Sequence, residues 1–253
     1  MLVVVSPAKK LDFESPAPTK KFTQLSEIDK SKKLISELKK CDANKIKDLM
    51  KLSDSLAELN VKRYNDFKTP FSLDNSKQAM FAFKGDTYIG LDADSMKEAD
   101  IDYAQEHLRI LSGLYGLVSP LDLIQPYRLE MGTKFACDGS KNLYEFWQKD
   151  ITNKLNALLK SKKVLINLAS NEYFGAVDIK QIDGQVITPS FKEKKGSDYK
   201  IVSFFAKRAR GMMSRYIIDH RLSEPKELLN FDVDGYQYNA KLSSQLEPVF
   251  TRG

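Results

Sequence analysis

The chain has 253 residues, 42% of them apolar and 29% charged, with a formal net charge of +6. This supplies a sizeable core, as one large domain or two small ones, and excludes extended disorder and a fibrous repeat. No apolar run approaches the roughly 20 residues of a membrane helix, and the start MLVVVSPAKK lacks the basic region of a secretory signal, so a cytoplasmic protein with no membrane partner is expected.

Residues 2–5 read as a short buried strand that Ser6-Pro7 ends, followed by a loop rich in Pro and Lys to about residue 22. The spacing predicts an exposed helix over 26–40, capped by Ser26, with Ile28, Leu34, Ile35 and Leu38 on one face. Residues 44–68 read as short helices broken by a tight turn. Helices are expected over 76–84 and over 96–111, the latter carrying His107 and Arg109. Residues 112–132 hold three glycines and two prolines among many apolar residues, which suits irregular backbone packed inside the fold. An amphipathic helix over 143–160 and a buried strand over 163–169 follow, then strands near 185–189 and 199–205 and a basic helix over 206–221. The tail suggests a helix at 225–230 and strand-like pieces near 236–241 and 247–251. No regular βαβ rhythm or internal repeat is visible. The fold class is therefore mixed α/β (α+β): a single domain over 1–253 with a β-containing core and a helical subdomain at about 24–68.

Cys41, Cys137, His107 and His220 lie far apart, which excludes a disulfide framework and clustered zinc or iron–sulfur ligands. No metal site and no cofactor are expected. GxSxG, P-loop and HExxH patterns are absent, and Ser6 with Lys9 matches only the short SxxK spacing, so no catalytic residue is assigned.

Charge is distributed unevenly. Residues 191–221 hold nine basic residues and three acids, leaving 31 of each sign in the rest of the chain. On the helix over 206–221, Lys207, Arg208, Arg210 and Arg215 fall opposite Ala206, Ala209, Met212, Met213, Tyr216 and Ile217. That face suits phosphate oxyanions, for which Arg offers paired donors, or else is a solvated face. Gly211 costs about 1 kcal/mol relative to Ala in such a helix, and lets another backbone or a ligand come close.

Residues 46–65 resemble a helix–hairpin–helix element. Ile46, Leu49, Leu52 and Ala57 take its apolar and Ala positions, while Lys51 and Ser53 stand where its glycines belong. In that element the turn and the start of the second helix hold a DNA phosphate. Ser53 or Asp54 can cap the second helix, with Lys62 and Arg63 as backbone-binding charges. The same residues fit an ordinary αα-hairpin. A polar cleft is the other candidate site: Ser6, Lys9 and Asp12 follow the first strand, Tyr127, Arg128 and Glu130 sit in the buried-looking segment, and Asn167, Ser170 and Glu172 end the strand over 163–169. A structural salt-bridge network would use the same charges.

The blocks SPAKKLDF (6–13), FKGDTYIGL (83–91), LRILSGLYGLVSPLDLIQPYRLEMGTK (108–134), FWQKDITNKLN (146–156), LINLASNEYF (165–174) and SFFAKRARGMMSRYII (203–218) resemble the YaaA family of bacterial peroxide-stress proteins. The resemblance implies a DNA-binding protein with an unusual fold, a positively charged cleft and a helix–hairpin–helix element, which limits damage from intracellular iron. It maps the hairpin onto 46–65 and the basic block onto Lys207, Arg208, Arg210 and Arg215. Some members carry Arg just before the proline of Val118-Ser119-Pro120, where this chain has Ser119. The expectation is binding of double-stranded or structured DNA through its phosphates. The competing reading is an enzyme acting on a small phosphorylated or nucleotide-like substrate in the polar cleft. A third is iron held by carboxylates such as Asp12, Glu130 and Glu172.

Overall fold

The fold is built around its first strand. The computed structural model describes residues 1–253, and β1 (Leu2–Val5) is buried along its whole length. It is flanked by β2 (Leu108–Ser112), which continues into β3 (Gly116–Val118), and by β4 (Val164–Leu168), beside which lies β5 (Gln185–Ile187). The sheet order is β3-β2-β1-β4-β5. Val3 pairs in parallel with Leu108 on one side and Ile166 on the other, β5 is parallel to β4, and β3 is antiparallel to β2. Strands of a parallel sheet covered on both faces carry continuous apolar runs rather than alternating ones, which is why 2–5 and 164–168 are legible as buried strands.

The longer helices are α1 (Ile28–Leu38), α2 (Ala43–Met50), α3 (Asp54–Asp66), α4 (Asp86–Leu91), α5 (Glu98–His107), α6 (Leu143–Lys162) and α7 (Ser203–Asp219). Helices α6 and α7 both pack against β1 and β4. Trp147 of α6 is fully buried and donates its indole N–H to the Gly113 carbonyl at 2.9 Å. Its ring leaves no room at Gly116, where a Cβ would come within 2.7 Å of it. A second sheet joins β6 (Ser190–Lys195), β7 (Asp198–Lys200), β8 (Gln237–Tyr238) and β9 (Val249–Arg252) in the order β7-β6-β9-β8. Phe191, Phe231, Tyr236 and Phe250 form its aromatic centre. One connected core of 68 buried residues runs from Met1 to Phe250 and includes Leu34, Ile46 and Tyr64 of the helical segment.

Several expected elements end elsewhere. Ser26 does not cap α1: its hydroxyl accepts from Lys154 at 2.5 Å, and the N-cap position falls on Glu27, which Lys154 also pairs with at 2.6 Å. The helix expected over 76–84 is one turn, Ala79–Ala82, because Lys77–Gln78 pairs with Leu123–Ile124 and Phe83–Lys84 with Lys10–Leu11. The helix expected over 96–111 stops at His107, since Leu108–Ser112, with Arg109, is taken into the sheet beside β1. The strand expected near 199–205 ends at Lys200, and Ser203 already begins α7. Strand β6 was not expected, because its parallel partner β9 lies far along the chain. The tail helix over 225–230 is a 3₁₀ turn.

The turn between α2 and α3 forms without the two missing glycines. Lys51 takes the left-handed conformation (φ 53°, ψ 55°), at a cost of about 1–2 kcal/mol for a residue with a Cβ. The buried Leu52 donates its N–H to the Lys47 carbonyl at 3.0 Å, and Ser53 caps α3 by accepting from the Leu56 N–H. What is observed is a two-helix hairpin with both helix starts capped, Asp42 serving α2.

Candidate functional site

Strand β1 leads to β2 on one side, and the chain then crosses to β4 on the other. In open parallel sheets such a reversal leaves a crevice at the carboxyl ends of the strands, where ligands bind. Here those ends are Ser6 and Ser170. The Ser6 hydroxyl donates to that of Ser170 at 3.3 Å and accepts the Ser170 N–H at 2.9 Å, while the Tyr88 hydroxyl donates to the Ser6 carbonyl at 3.1 Å. A cavity of about 290 Å³ opens above this floor, walled by Lys9, Lys10, Lys84, Glu172, Lys207 and Arg210.

The α7 wall is fixed by a backbone crossing. A Cβ at Gly211 would lie 1.8 Å from the Thr87 carbonyl oxygen, and one at Gly90 2.1 Å from that of Arg208. The glycine in the basic helix therefore admits another backbone, that of α4. This crossing sets Lys207 and Arg210 facing the strand ends. Burial alone lowers the Arg210 pKa, with no acid to offset it. No carboxylate lies within ion-pair distance of Lys207, Arg208 or Arg210, and a half-buried guanidinium without an anion is unfavourably placed. Arg215 does not join them. Its Nε donates to Asp219 at 2.7 Å, and its Nη1 donates to the Asp92 carbonyl and the Ser95 hydroxyl, both at 2.8 Å. Arg221 is similarly held by Asp100 at 2.6 Å. The basic excess of 191–221 thus divides three ways, with Lys192, Lys194, Lys195 and Lys200 on the β6–β7 hairpin. It is not a uniform field of free cations, because Asp92, Asp219 and Asp100 neutralise its end.

The opposite rim is a charge network. Lys9 pairs with Glu130 at 2.7 Å, and Arg128 shares that carboxylate at 3.0 Å. The Arg128 Nε is buried with no partner. The Tyr64 hydroxyl of α3 donates to the Arg128 carbonyl, joining the hairpin helix to this rim. Arg63, half-buried beside Arg128, has its pKa lowered by burial first and by that like charge. Glu172 accepts the Gly132 N–H at 3.1 Å. Asp12 is held down to about 2, first by the Ser15 backbone N–H, then by that of Glu14 and by Lys77. It stands outside the cavity wall, as does Asn167, whose amide donates to Thr188 at 3.3 Å. Tyr127 lines a narrow neighbouring recess with Arg128 and Glu130, but its hydroxyl is bonded to Ser112 at 2.7 Å and its pKa is raised by burial.

Of the expected cleft residues, the fold therefore gathers Ser6, Lys9, Ser170 and Glu172 with Lys207 and Arg210, and sets Arg128 and Glu130 alongside. Lys51, Ser53, Asp54 and Lys62 are exposed on the hairpin, Asp54 paired with Lys47 at 2.6 Å. Lys84, Asp86 and Tyr173 of the wall were not among the expected residues. The signal for the first two is the charged pair around Gly85 in FKGD, where a Cβ would press on Ala8 at 3.2 Å. Asp12, Glu130 and Glu172 are separately engaged, and no group of three His, Cys, Asp or Glu side chains converges. His107 stacks on Tyr103 and bonds the Met1 carbonyl, and burial pushes up both thiols, Cys41 and Cys137. No helix is long and apolar enough to cross a membrane.

Fold and site together define a mixed α/β protein with a cation-walled crevice at the switch point of a parallel sheet. Residues 1–242 match the family described as peroxide stress protein YaaA, and the chain belongs to that family. Similar proteins include UPF0246 proteins of Alteromonas mediterranea (55% identical), Shewanella loihica (54%) and Cellvibrio japonicus (53%), each aligned over 100% of this chain and 98% of the relative.

Proposed function

We propose that this protein serves in the peroxide-stress response as a cytoplasmic DNA-binding protein that grips the phosphate backbone. The observation that carries the reading is that Lys207 and Arg210 line the cleft without ion-pair partners, near Lys10, with the exposed and equally unpaired Arg208 on the same helix. The hairpin turn at 51–54 is the second anchor, acting as a helix–hairpin–helix element, and Tyr64 ties its second helix to the cleft rim. Contacts of this kind are mainly to phosphates, so sequence preference is weak and salt dependence strong. The effect on iron damage is indirect: bound DNA is shielded, while Asp12, Glu130 and Glu172 stay committed to their own partners.

The test is binding of labelled duplex and junction DNA at two salt concentrations, with Lys207→Ala, Arg208→Ala and Arg210→Ala combined. Loss of affinity together with a shallower salt dependence supports the reading. Unchanged affinity rejects the site.

A further inference from the structure

The cavity between the strand ends is too small for a duplex, yet it holds cations that no protein acid neutralises. From this we infer that it is a phosphomonoester pocket, which takes the terminal phosphate and sugar of a single nucleotide unit. The inference goes beyond backbone binding, because a pocket of about 290 Å³ accepts a strand end or a free mononucleotide but not a continuous double helix.

Charge is the first argument. Lys10, Lys207 and Arg210 have no acid partner, whereas Lys9 and Lys84 are paired with Glu130 and Asp94. A phosphodiester brings one negative charge; a phosphomonoester brings nearly two at neutral pH and three terminal acceptor oxygens. The half-buried Arg210 fork suits bidentate contact with such a group. The floor is the second argument. The Ser6 and Ser170 hydroxyls, bonded to each other, are short neutral donors and acceptors at the closed end. The third is that two carboxylates, Asp86 and Glu172, also line the pocket. Carboxylates repel a phosphate but accept from sugar hydroxyls, so the lining carries groups for both halves of a nucleotide. The crossing at Gly90 and Gly211 holds Asp86 and Arg210 in one rigid pair of helices, which preorganises these groups.

The ligand chemistry has two sources, a 5′-phosphorylated strand end and a free nucleotide, and the experiment separates them. Affinity is measured for one oligonucleotide with a 5′-phosphate and with a 5′-hydroxyl, and separately for adenosine 5′-monophosphate against adenosine. At least a tenfold preference for the phosphorylated member of either pair is expected. Preference in the oligonucleotide pair alone identifies a strand end; preference for the monophosphate identifies a free nucleotide. Arg210→Gln abolishes the preference and Arg210→Lys, which keeps the charge but not the fork, restores part of it. Thermal melting of both variants verifies that they fold. No preference in either pair, or a preference that survives in folded Arg210→Gln, overturns the inference. Binding of the 5′-hydroxyl oligonucleotide is read in the same titration, so loss of the pocket is distinguishable from loss of backbone binding.

Discussion

The two halves of α7 look alike in sequence and behave oppositely in the fold. Lys207 and Arg210 line the crevice at the ends of β1 and β4, and neither they nor the exposed Arg208 have a carboxylate within ion-pair distance. One turn beyond Gly211, Arg215 is fastened to Asp92, Ser95 and Asp219, and Arg221, just past the helix end, is fastened to Asp100. A guanidinium already sharing two carboxylates has little left for a polyanion, and releasing it costs the bonds it makes. What a basic helix offers a ligand is therefore decided by its neighbours. The loop after α4 and the start of α5 supply acids to one half only.

Four experiments break or sharpen this contrast. Gly211→Ala strikes the crossing that divides the halves. With the new Cβ at 1.8 Å from the Thr87 oxygen, the helices must separate, and a loss of about 3 kcal/mol is expected in urea unfolding. A loss no larger than that of an ordinary surface change would mean the crossing is pliable. The combined Lys207, Arg208 and Arg210 alanine variant should bind DNA roughly 10- to 100-fold more weakly at low salt, its salt slope reduced by about 3, with its unfolding midpoint unchanged. Arg215→Ala should give the reverse: a stability loss of about 1–2 kcal/mol and unaltered DNA affinity. Equal effects of the two variants on affinity would erase the distinction. The smallest effect concerns Asp12. Its pKa is lowered from 3.8 to about 2 in the folded chain, so the contribution of its ionised form is complete above about pH 4 and is lost as pH falls toward 2. Asp12→Asn should remove about 1 kcal/mol of stability at pH 7 and flatten that part of the stability–pH curve.

Much of this was legible in the chain itself. The runs 2–5 and 164–168 announce buried strands, and Leu143, Trp147, Ile151 and Leu155 announce α6. The tight turn near 51–53 is legible too, and it closes without glycines at Lys51 and Ser53 through the Ser53 cap and the bond from the Leu52 N–H to the Lys47 carbonyl. What failed was whatever depends on distant pairing. Arg109 reads as helical from its local neighbours, and only its place beside Val4 makes it part of a strand. Within the site, Ser6, Lys9, Ser170 and Glu172 were recognisable because they follow apolar strands. Lys84 was not, since its two-residue pairing with Lys10 leaves no periodic trace. Likewise, nothing in the spacing of Arg215 reveals that Asp92, remote in sequence, waits for it.

The position of β1 has a consequence for how the chain is made. Leu2–Val5 leave the ribosome before either flanking strand exists, and the sheet gains its last parallel member only with Ile187. Contacts of such long sequence separation form late and slowly. During synthesis this apolar tetrapeptide is thus exposed without its sheet neighbours. Completion of the parallel sheet is thus gated by the emergence of the second half of the chain.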